Sequence, residues 1–417
     1  MQSVIPKFYN LSIAERLKIL KKFAGLSNND LKILHSSNAF INRMIENVVG
    51  TFPLPLGIAT NFLINGKDYL IPMAIEETSV VAACSHGAKI ARIKGGFEAT
   101  STEPVMIGQI QIVDLKNIKK AQKNVLREKE KILELANEKD PILVKLGGGA
   151  KDIELREIIT SSEKMLAVHL LVSVKDAMGA NVVNTMCEAV APFIEKITSG
   201  KVILRIISNL AVYRIARAKA VFDCKAVGGE EIVNGIIKAW EFACNDIYRC
   251  ATHNKGIMNG IDAVAIATGN DFRALEAGAH AYAASNGYKP LTKYEKSESG
   301  DLIGTIELPI AVGIVGGATI HPTAKICKKI LGIKSANELA EVLASVGLAQ
   351  NFAALRALVK EGIQRGHMSL HAHNIAVMAG AKRKEIDKVA EILVKEKEIR
   401  IDRAKEIIEE IRKKDKK

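Results

Sequence analysis

Apolar residues recur at helical spacing near both ends of the chain. Ser12 and Ser27 each precede an apolar-periodic segment, which predicts two short capped helices at the N-terminus. Apolar positions over residues 386–411 have the same spacing, which predicts a terminal pair of helices whose apolar face needs a covering surface. The stretch from about residue 209 to 364 is expected to be rich in helices with glycine between them.

Strand patterns dominate the first half of the chain. Two apolar stretches flank Asn65-Gly66, which is a strong signal for a tight β-hairpin. Between boundaries near residues 104 and 208, alternating apolar positions, a helix over 117–137 and an apolar strand over 165–174 predict a separate compact α+β unit.

Composition excludes several classes of protein. A chain of 417 residues with 48% hydrophobic residues can bury a large core and should form two or more domains. The N-terminus lacks a signal peptide's apolar stretch, and the apolar run over 308–320 contains three glycines and is too short to span a membrane. The six cysteines form no C-x-x-C pair, so neither a disulfide framework nor a zinc finger is indicated. We therefore expect a soluble cytoplasmic protein.

The net charge is +13, from 59 basic and 46 acidic side chains. Such an excess suits nucleic acid, an acidic membrane surface, or a polyanionic ligand such as a nucleotide or coenzyme A. Single-stranded nucleic acid binding requires aromatic residues interleaved with a basic face. In this sequence aromatic residues are few, and no such interleaving is found. A basic α/β protein that binds nucleic acid or acts as a scaffold is the alternative from another class.

The usual nucleotide motifs are absent, since the chain has neither a G-x-x-x-x-G-K-S/T sequence nor a G-x-G-x-x-G sequence after a strand. Small residues over 176–181 nevertheless follow an apolar strand. Gly179, where a helix would begin, would leave free backbone N–H groups suited to a pyrophosphate. A helix N-cap formed by Asp176 explains the same residues. The glycines over 147–149 and 313–317 are explained equally well by tight turns.

Several charged residues stand where catalytic chemistry would need them. Glu76 and Glu77 precede a small-residue helix, where they either complement the helix dipole or include one buried, protonated proton donor. Lys255 and Asp271 lie among small polar residues between apolar segments. They would form either a pair that aims an ammonium at a developing oxyanion, or a plain structural ion pair.

Three histidines, His367, His371 and His373, are spaced at i, i+4 and i+6. This spacing could bind a metal on a helix, but metal sites usually need further ligands, and no H-E-x-x-H sequence is present. An acid–base histidine at a hinge into the C-terminal tail explains the segment at least as well.

Taken together, these segments resemble the soluble class of 3-hydroxy-3-methylglutaryl-coenzyme A reductases found in bacteria and some archaea, nearly from end to end. The matching phrases are Glu46–Phe52, Ile75–Ser79, Leu146–Gly149, Asp176–Asn181, Ala251–Gly260, Gly347–Asn351 and Glu361–Met368. Thr78 stands where proline is common in this family, and residues 57–61 vary; both departures are mild.

The resemblance implies a two-step, four-electron reduction of a thioester to a primary alcohol, through a hemithioacetal and an aldehyde, with two hydrides from a nicotinamide cofactor. Glu77 looks like the family's catalytic glutamate, and Lys255 like the lysine that stabilises the carbonyl oxygen. Asp271 matches the aspartate that couples those two. His367 matches the histidine that protonates the departing coenzyme A thiolate. No metal is implied.

The resemblance also implies binding residues. Arg249, Ser79 and Asn259 would hold the carboxylate and hydroxyl end of the substrate, and an arginine fork suits a carboxylate. The cofactor would lie against Asp140, Asp176, Met178, Gly179, Asn181 and Asn209. Asp140 occupies the position that reads the adenosine ribose, where a carboxylate accepts from a free 2′-hydroxyl and repels a 2′-phosphate. NADH is therefore predicted over NADPH, although Lys139 beside Asp140 opposes this preference.

The implied fold class is α+β. A large helix-rich substrate domain would comprise residues 1–103 and 209–363, with an inserted small α/β nucleotide domain, non-Rossmann and ferredoxin-like, over 104–208. A C-terminal helical flap over 364–417 would close over the substrate and bring His367 into place. Because the family's site lies at a subunit interface, a homodimer or a multiple of it is expected.

Overall fold

The computed structural model describes residues 5–34, 44–316, 320–360, 372–396 and 398–414. The chain separates into two compact units, Met1–Pro55 and Leu56–Lys417. The strands are β1 (Leu56–Ile64), β2 (Lys67–Ala74), β3 (Phe97–Ser101), β4 (Val105–Val113), β5 (Gly149–Ile159), β6 (Lys164–Ser173), β7 (Lys201–Ser208), β8 (Ile215–Phe222), β9 (Thr292–Lys296) and β10 (Leu302–Pro309). The helices are α1 (Ile13–Ala24), α2 (Asn28–Leu34), α3 (Val80–Arg92), α4 (Ile118–Arg127), α5 (Lys129–Asn137), α6 (Pro141–Lys145), α7 (Ala180–Thr198), α8 (Cys224–Val227), α9 (Glu230–Asn245), α10 (Ile247–Ala267), α11 (Phe272–Ala283), α12 (Pro322–Leu331), α13 (Ala336–Lys360), α14 (Lys384–Glu396) and α15 (Ile401–Lys414).

The first unit contains the two short helices that the sequence predicts. Ser12 and Glu15 form a reciprocal capping box at the start of α1, and α1 ends at Gly25 in the left-handed conformation. Ser27 and Asp30 exchange the same pair of hydrogen bonds at the start of α2. Both predicted helix starts are therefore confirmed.

A six-stranded sheet with the order β2-β1-β3-β8-β10-β9 forms the frame of the second unit. The β1–β2 hairpin is confirmed: Asn65 and Gly66 both have positive φ, 51° and 76°, as a type I′ turn requires. Strands β8, β9 and β10 lie in the stretch that was expected to be helix-rich, so that prediction was incomplete. In β8 the buried positions are mostly alanine, and they alternate with the exposed Arg217 and Lys219. Alanine is a weak strand former, so this alternation gives little signal of a strand.

Helices α3, α10 and α13 pack on this sheet in one continuous core. Close approach depends on small residues: a Cβ on Gly87 of α3 would lie 2.5 Å from the carbonyl oxygen of Ala349 on α13. Helix α13 has the length and apolar character of a membrane-spanning helix, but 72% of its most apolar window is buried inside the protein. A buried core helix has the same composition, since it has no solvent-facing side.

A second, four-stranded sheet has the order β5-β6-β4-β7 and is fully antiparallel. Its elements follow one another as β-α-β-β-α-β, the split ferredoxin-like arrangement, and α4, α5 and α7 cover it with a separate core. The predicted strand over 165–174 is confirmed as β6. The helix expected over 117–137 is interrupted at Glu128, where φ is −95° and ψ 15°, so two helices form. Two sheets with many helices confirm the α+β class.

Helices α14 and α15 pack their apolar sides together around Val389, Leu393 and Ile407. The predicted terminal helical pair is therefore confirmed. Residues 361–371, where the sequence predicts a hinge into this pair, lie outside the described residues.

Candidate active site

A carboxylate and two nitrogen donors meet where α3 begins beside α10. Lys255 and Asn259 are one turn apart on α10, and both donate to Glu77 Oε2, over 3.0 Å and 3.3 Å. Ser79 stands at the N-cap position of α3 without a side-chain capping bond, and its φ of 74° is a left-handed conformation that is rare for serine and often marks a functional site. The structure thus brings together Glu77, Lys255 and Asn259 from two segments far apart in sequence.

These residues line a cavity of about 490 Å³ between α3, α10 and α13. Its polar lining residues include Glu77, Ser79, His86, Arg249, Lys255, Asn259, Gln350 and Arg356. Burial lowers the pKa of Arg249, so its guanidinium is already partly stripped of water. An anionic group in the cavity would offset that loss of solvation. The cavity therefore suits an acidic substrate.

Asp271 makes contacts other than the predicted pair with Lys255. Its Oδ1 caps α11 by accepting from the backbone N–H groups of Arg273 and Ala274, and the Arg273 guanidinium lies 3.0 Å away. Among the described residues no ion pair joins Asp271 to Lys255, which pairs with Glu77 instead. The predicted Lys255–Asp271 pair is therefore not seen, because one carboxylate oxygen is held by the start of α11.

The burial that would keep Glu77 protonated is also not seen in the single chain. The Glu77 side chain is 39% exposed, and its nearest charged partner is a cation. A buried, protonated Glu77 therefore needs a covering surface that the described residues of the single chain do not supply.

His367, the predicted thiolate acid, lies outside the described residues, and so does His371. His373 is described, and its Nε2 lies 3.4 Å from Asp387 Oδ1. In the part of the chain that the structure describes, no group of three histidine, cysteine or acidic side chains is arranged to hold a metal.

A buried histidine beside the cavity was not predicted from the sequence. His253 shares a hydrogen bond with Thr292, whose hydroxyl donates to Asn351 on α13. Burial, with Arg249 adding to it, lowers the pKa of His253 to about 3, so the ring stays neutral. A polar network of this kind fixes α10 against α13.

The sequence analysis also missed a carboxyl pair between α10 and α11, formed by Asp262 and Glu276. An acid inside the otherwise apolar run that ends α10 is the signal that could have revealed it.

The predicted cofactor loop connects β6 to α7. Gly179 adopts φ of 106° and begins α7, and no side chain caps that helix end. Asp176 instead accepts from the backbone N–H of Ala336 at the start of α13, over 2.8 Å, so it does not cap α7 as one alternative had it. Among the described residues, no side chain is hydrogen-bonded to the first N–H groups of α7, as anion binding requires.

Two neighbours hold this loop in place. The buried Arg214 donates to the carbonyl oxygens of Ala177 and Met178, over 3.1 Å each. Gly313 packs so closely that a Cβ there would lie 2.5 Å from the Met178 nitrogen. The glycine at 313 is thus required by close backbone approach to the loop, and not only by a turn of its own.

The remaining predicted cofactor residues are less tightly connected. Asn181 is exposed in the first turn of α7, and Asn209 is exposed after β7. Asp140 caps α6 by accepting from the Leu143 N–H over 2.9 Å. No hydrogen bond or ion pair between described residues joins Asp140 or Asn209 to the loop. The glycine turn after α6 approaches the loop, since a Cβ on Gly147 would lie 3.7 Å from Lys175 Nζ.

A larger cavity, of about 690 Å³, lies over the solvent-facing side of the six-stranded sheet, where Arg217, Lys219 and Glu307 line it. It contains none of the predicted site residues. The smaller cavity is therefore the candidate active site, because it contains Glu77, Lys255 and Asn259, although the other cavity has the larger volume.

Known proteins match the chain along most of its length. The family model for hydroxymethylglutaryl-coenzyme A reductase matches residues 12–372. A 3-hydroxy-3-methylglutaryl-coenzyme A reductase from Archaeoglobus fulgidus is 64% identical over 99% of this chain and 95% of its own length. A probable reductase of the same name from Borreliella burgdorferi is 37% identical over 88% of this chain and 85% of its own length. The structure of a class II reductase from Streptococcus pneumoniae, bound to NADPH, matches with a TM-score of 0.76 and 41% identity, covering 96% of this chain and all of that one.

Proposed function

This chain belongs to the hydroxymethylglutaryl-coenzyme A reductase family, within its class II, and from that premise we propose how its residues carry out the reaction. The chain is an NAD(P)H-dependent oxidoreductase that acts on a coenzyme A thioester. It reduces 3-hydroxy-3-methylglutaryl-coenzyme A to mevalonate and free coenzyme A, and the same site runs the reverse reaction.

Lys255 stabilises the substrate oxygen. As hydride adds to the thioester carbon, negative charge collects on the carbonyl oxygen, and a fixed ammonium there lowers the barrier. Glu77 and Asn259 support this role, because the carboxylate holds the ammonium at 3.0 Å and the amide holds the carboxylate. Once a partner chain covers the site, Glu77 would hold a proton and supply it to the aldehyde oxygen in the second reduction.

Arg249, Ser79 and Asn259 hold the carboxylate and hydroxyl end of the substrate. Arg249 supports this proposal through its partial burial in the cavity wall, where a carboxylate would satisfy its guanidinium. Asp271 orders the adjoining start of α11, and its role in coupling Glu77 to Lys255 requires a rearrangement from the contacts described above.

The loop over 176–179 and the start of α7 bind the pyrophosphate of the dinucleotide. The open N–H groups of α7 and the absence of a side chain at Gly179 fit that group. When bound, the nicotinamide supplies the hydrides. Asn181 and Asn209 flank the loop, and Asp140 selects NADH over NADPH by repelling a 2′-phosphate. The Streptococcus relative was solved with NADPH, so NADPH remains the alternative.

We further propose that the active enzyme is a cytoplasmic homodimer or a multiple of one. Its C-terminal segment, residues 364–417, acts as a flap that delivers His367 to protonate the leaving thiolate. A partner chain at the site would supply the covering surface that the described residues of one chain do not give Glu77.

The observation that carries the proposal is the contact of Lys255 and Asn259 with Glu77 inside an anion-suited cavity. The test mixes purified protein with the thioester and NADH, and follows nicotinamide absorbance and free thiol together. Two nucleotides oxidised per thiol released is the expected result. Thioester-independent oxidation, or none with either nucleotide, would reject the proposal and favour the nucleic-acid-binding or scaffold alternative.

A further inference from the structure

Two carboxyl groups meet behind the active site, Asp262 on α10 and Glu276 on α11. Asp262 Oδ1 is buried and has no hydrogen-bond partner among the described residues. The Asp262 carboxyl is instead hydrogen-bonded to that of Glu276. Since two ionised carboxylates repel and have no proton to donate, this contact requires that one of them holds a proton.

The surroundings decide which carboxyl holds it. His280 Nε2 lies 2.8 Å from Glu276, and His280 Nδ1 lies 2.7 Å from the Tyr288 hydroxyl. The hydrogen bond from His280, followed by that from Asp262 and the charge of Lys255, lowers the pKa of Glu276. Burial, with Glu276 adding to it, raises the pKa of Asp262 to about 8. Asp262 is therefore the protonated member and Glu276 the charged one.

The pair is connected to the reactive lysine by helix geometry. Lys255, Asn259 and Asp262 are spaced i, i+4 and i+7 on α10, so they share one face of the helix. The first two hold Glu77 in the cavity, and the third contacts Glu276. Neither Asp262 nor Glu276 lines the cavity.

We propose that Asp262 and Glu276 are positioning residues that share one proton and thereby set the charge behind Lys255 during the reduction proposed above. With the proton in place, the pair carries one negative charge and joins α10 to α11. Without it, the hydrogen bond is lost and a second negative charge weakens the field of Lys255 at the substrate oxygen. The charged and titratable groups facing the pair are Lys255 from α10, His280 from α11 and Tyr288 from the turn after α11.

The test uses Asp262→Asn, because an amide can donate to Glu276 as a protonated carboxyl does but cannot lose its proton. We expect wild-type turnover to fall as the pH rises through about 8, and the variant to lack this step. The matched control, Asp68→Asn, removes an exposed carboxylate paired with Arg92 and should keep the wild-type profile.

Thermal unfolding without substrate gives a second readout that does not depend on the reaction. The native state keeps the Asp262 proton while the unfolded chain releases it near pH 4, so native stability from this group is full below that pH and is lost as the pH rises to about 8. The midpoint of the wild type should therefore fall relative to Asp262→Asn across this range. Failure of the proposed function alone would abolish turnover in every variant and leave this unfolding difference intact.

Glu276→Gln removes the charge and provides a second variant. Because less negative charge behind Lys255 strengthens its field at the substrate oxygen, we expect kcat to rise, by at most roughly two- to thirtyfold, the range of coupling through positioning residues, with KM for the thioester nearly unchanged. Thermal unfolding midpoints that change with pH in the same way in wild type and Asp262→Asn would overturn the proposal that the two carboxyls share a proton. An unfolding difference with superimposable pH–rate profiles would overturn its role behind Lys255.

Discussion

Replacing Gly313 by alanine tests whether the loop over 176–179 binds the cofactor. The added methyl would lie 2.5 Å from the Met178 nitrogen, 2.9 Å from the Ala177 carbonyl carbon and 3.1 Å from the Asp176 oxygen. All three are backbone atoms, so no rotamer change relieves the contact. The loop itself has to move.

The expected size follows from the cost of overpacking, about 1–3 kcal/mol. If the loop returns to its place to bind the dinucleotide, this cost appears as weaker binding. A difference of about 1.4 kcal/mol is tenfold in affinity, so KM for NADH should rise roughly five- to 150-fold. KM for the thioester should change much less, since Gly313 does not line the substrate cavity.

The assay is steady-state oxidation of NADH, with each substrate varied in turn. Gly235→Ala is the control: its methyl would press on a side-chain methyl of Val359, 2.4 Å away, and so overpacks the protein without touching the loop. A Gly313→Ala enzyme that is as destabilised as this control but binds NADH normally would refute the assignment of the loop.

Three further predictions concern other parts of the account. Asp140→Ala should relax the preference for NADH and, because Asp140 caps α6, lower the free energy of unfolding by about 1 kcal/mol. The control Asn117→Ala, which removes the cap of α4, should show the stability loss alone. Unchanged cofactor selectivity in Asp140→Ala would count against the ribose contact. His253 has a pKa of about 3 in the folded chain, so its contribution to stability is present above about pH 6.5 and is lost on acidification. As the pH falls below about 6.5, the free energy of unfolding should therefore decrease by up to ~1.4 kcal/mol per pH unit more in wild type than in His253→Asn. The same decrease per pH unit in both proteins would contradict this. Truncation after Gly380 removes α14 and α15 and should cut turnover while circular dichroism shows the remaining fold, so normal turnover would refute the flap.

Local rules predicted the local structure well. The cap at Ser12 and the turn at Asn65-Gly66 depend on neighbouring residues only, so the sequence contains all that is needed. Strand β8 was missed because its alternating alanines carry little hydrophobic contrast. Its pairing with β3 and β10 comes from distant parts of the chain, which no local pattern reports.

The candidate site was predicted through family resemblance more than through residue chemistry. Residue chemistry alone predicted an ion pair between Lys255 and Asp271, whereas in the structure Lys255 forms its ion pair with Glu77. That contact joins two segments that are far apart in sequence and that only the fold brings together. The carboxyl pair of Asp262 and Glu276 was missed for the same reason: Asp262 stands out in the apolar run that ends α10, but only the fold brings Glu276 of α11 to it.

Substitution of the central lysine tests the account most directly. Lys255→Met keeps the length of the side chain and removes the charge proposed to face the substrate oxygen, while Lys293→Met removes an exposed lysine paired with Glu295 and serves as the control. Loss of one such donor typically lowers kcat by about 10² to 10³-fold. We predict that loss for thioester-dependent NADH oxidation by folded Lys255→Met protein that still binds NADH. Oxidation at the wild-type rate in that protein would contradict the proposed chemistry.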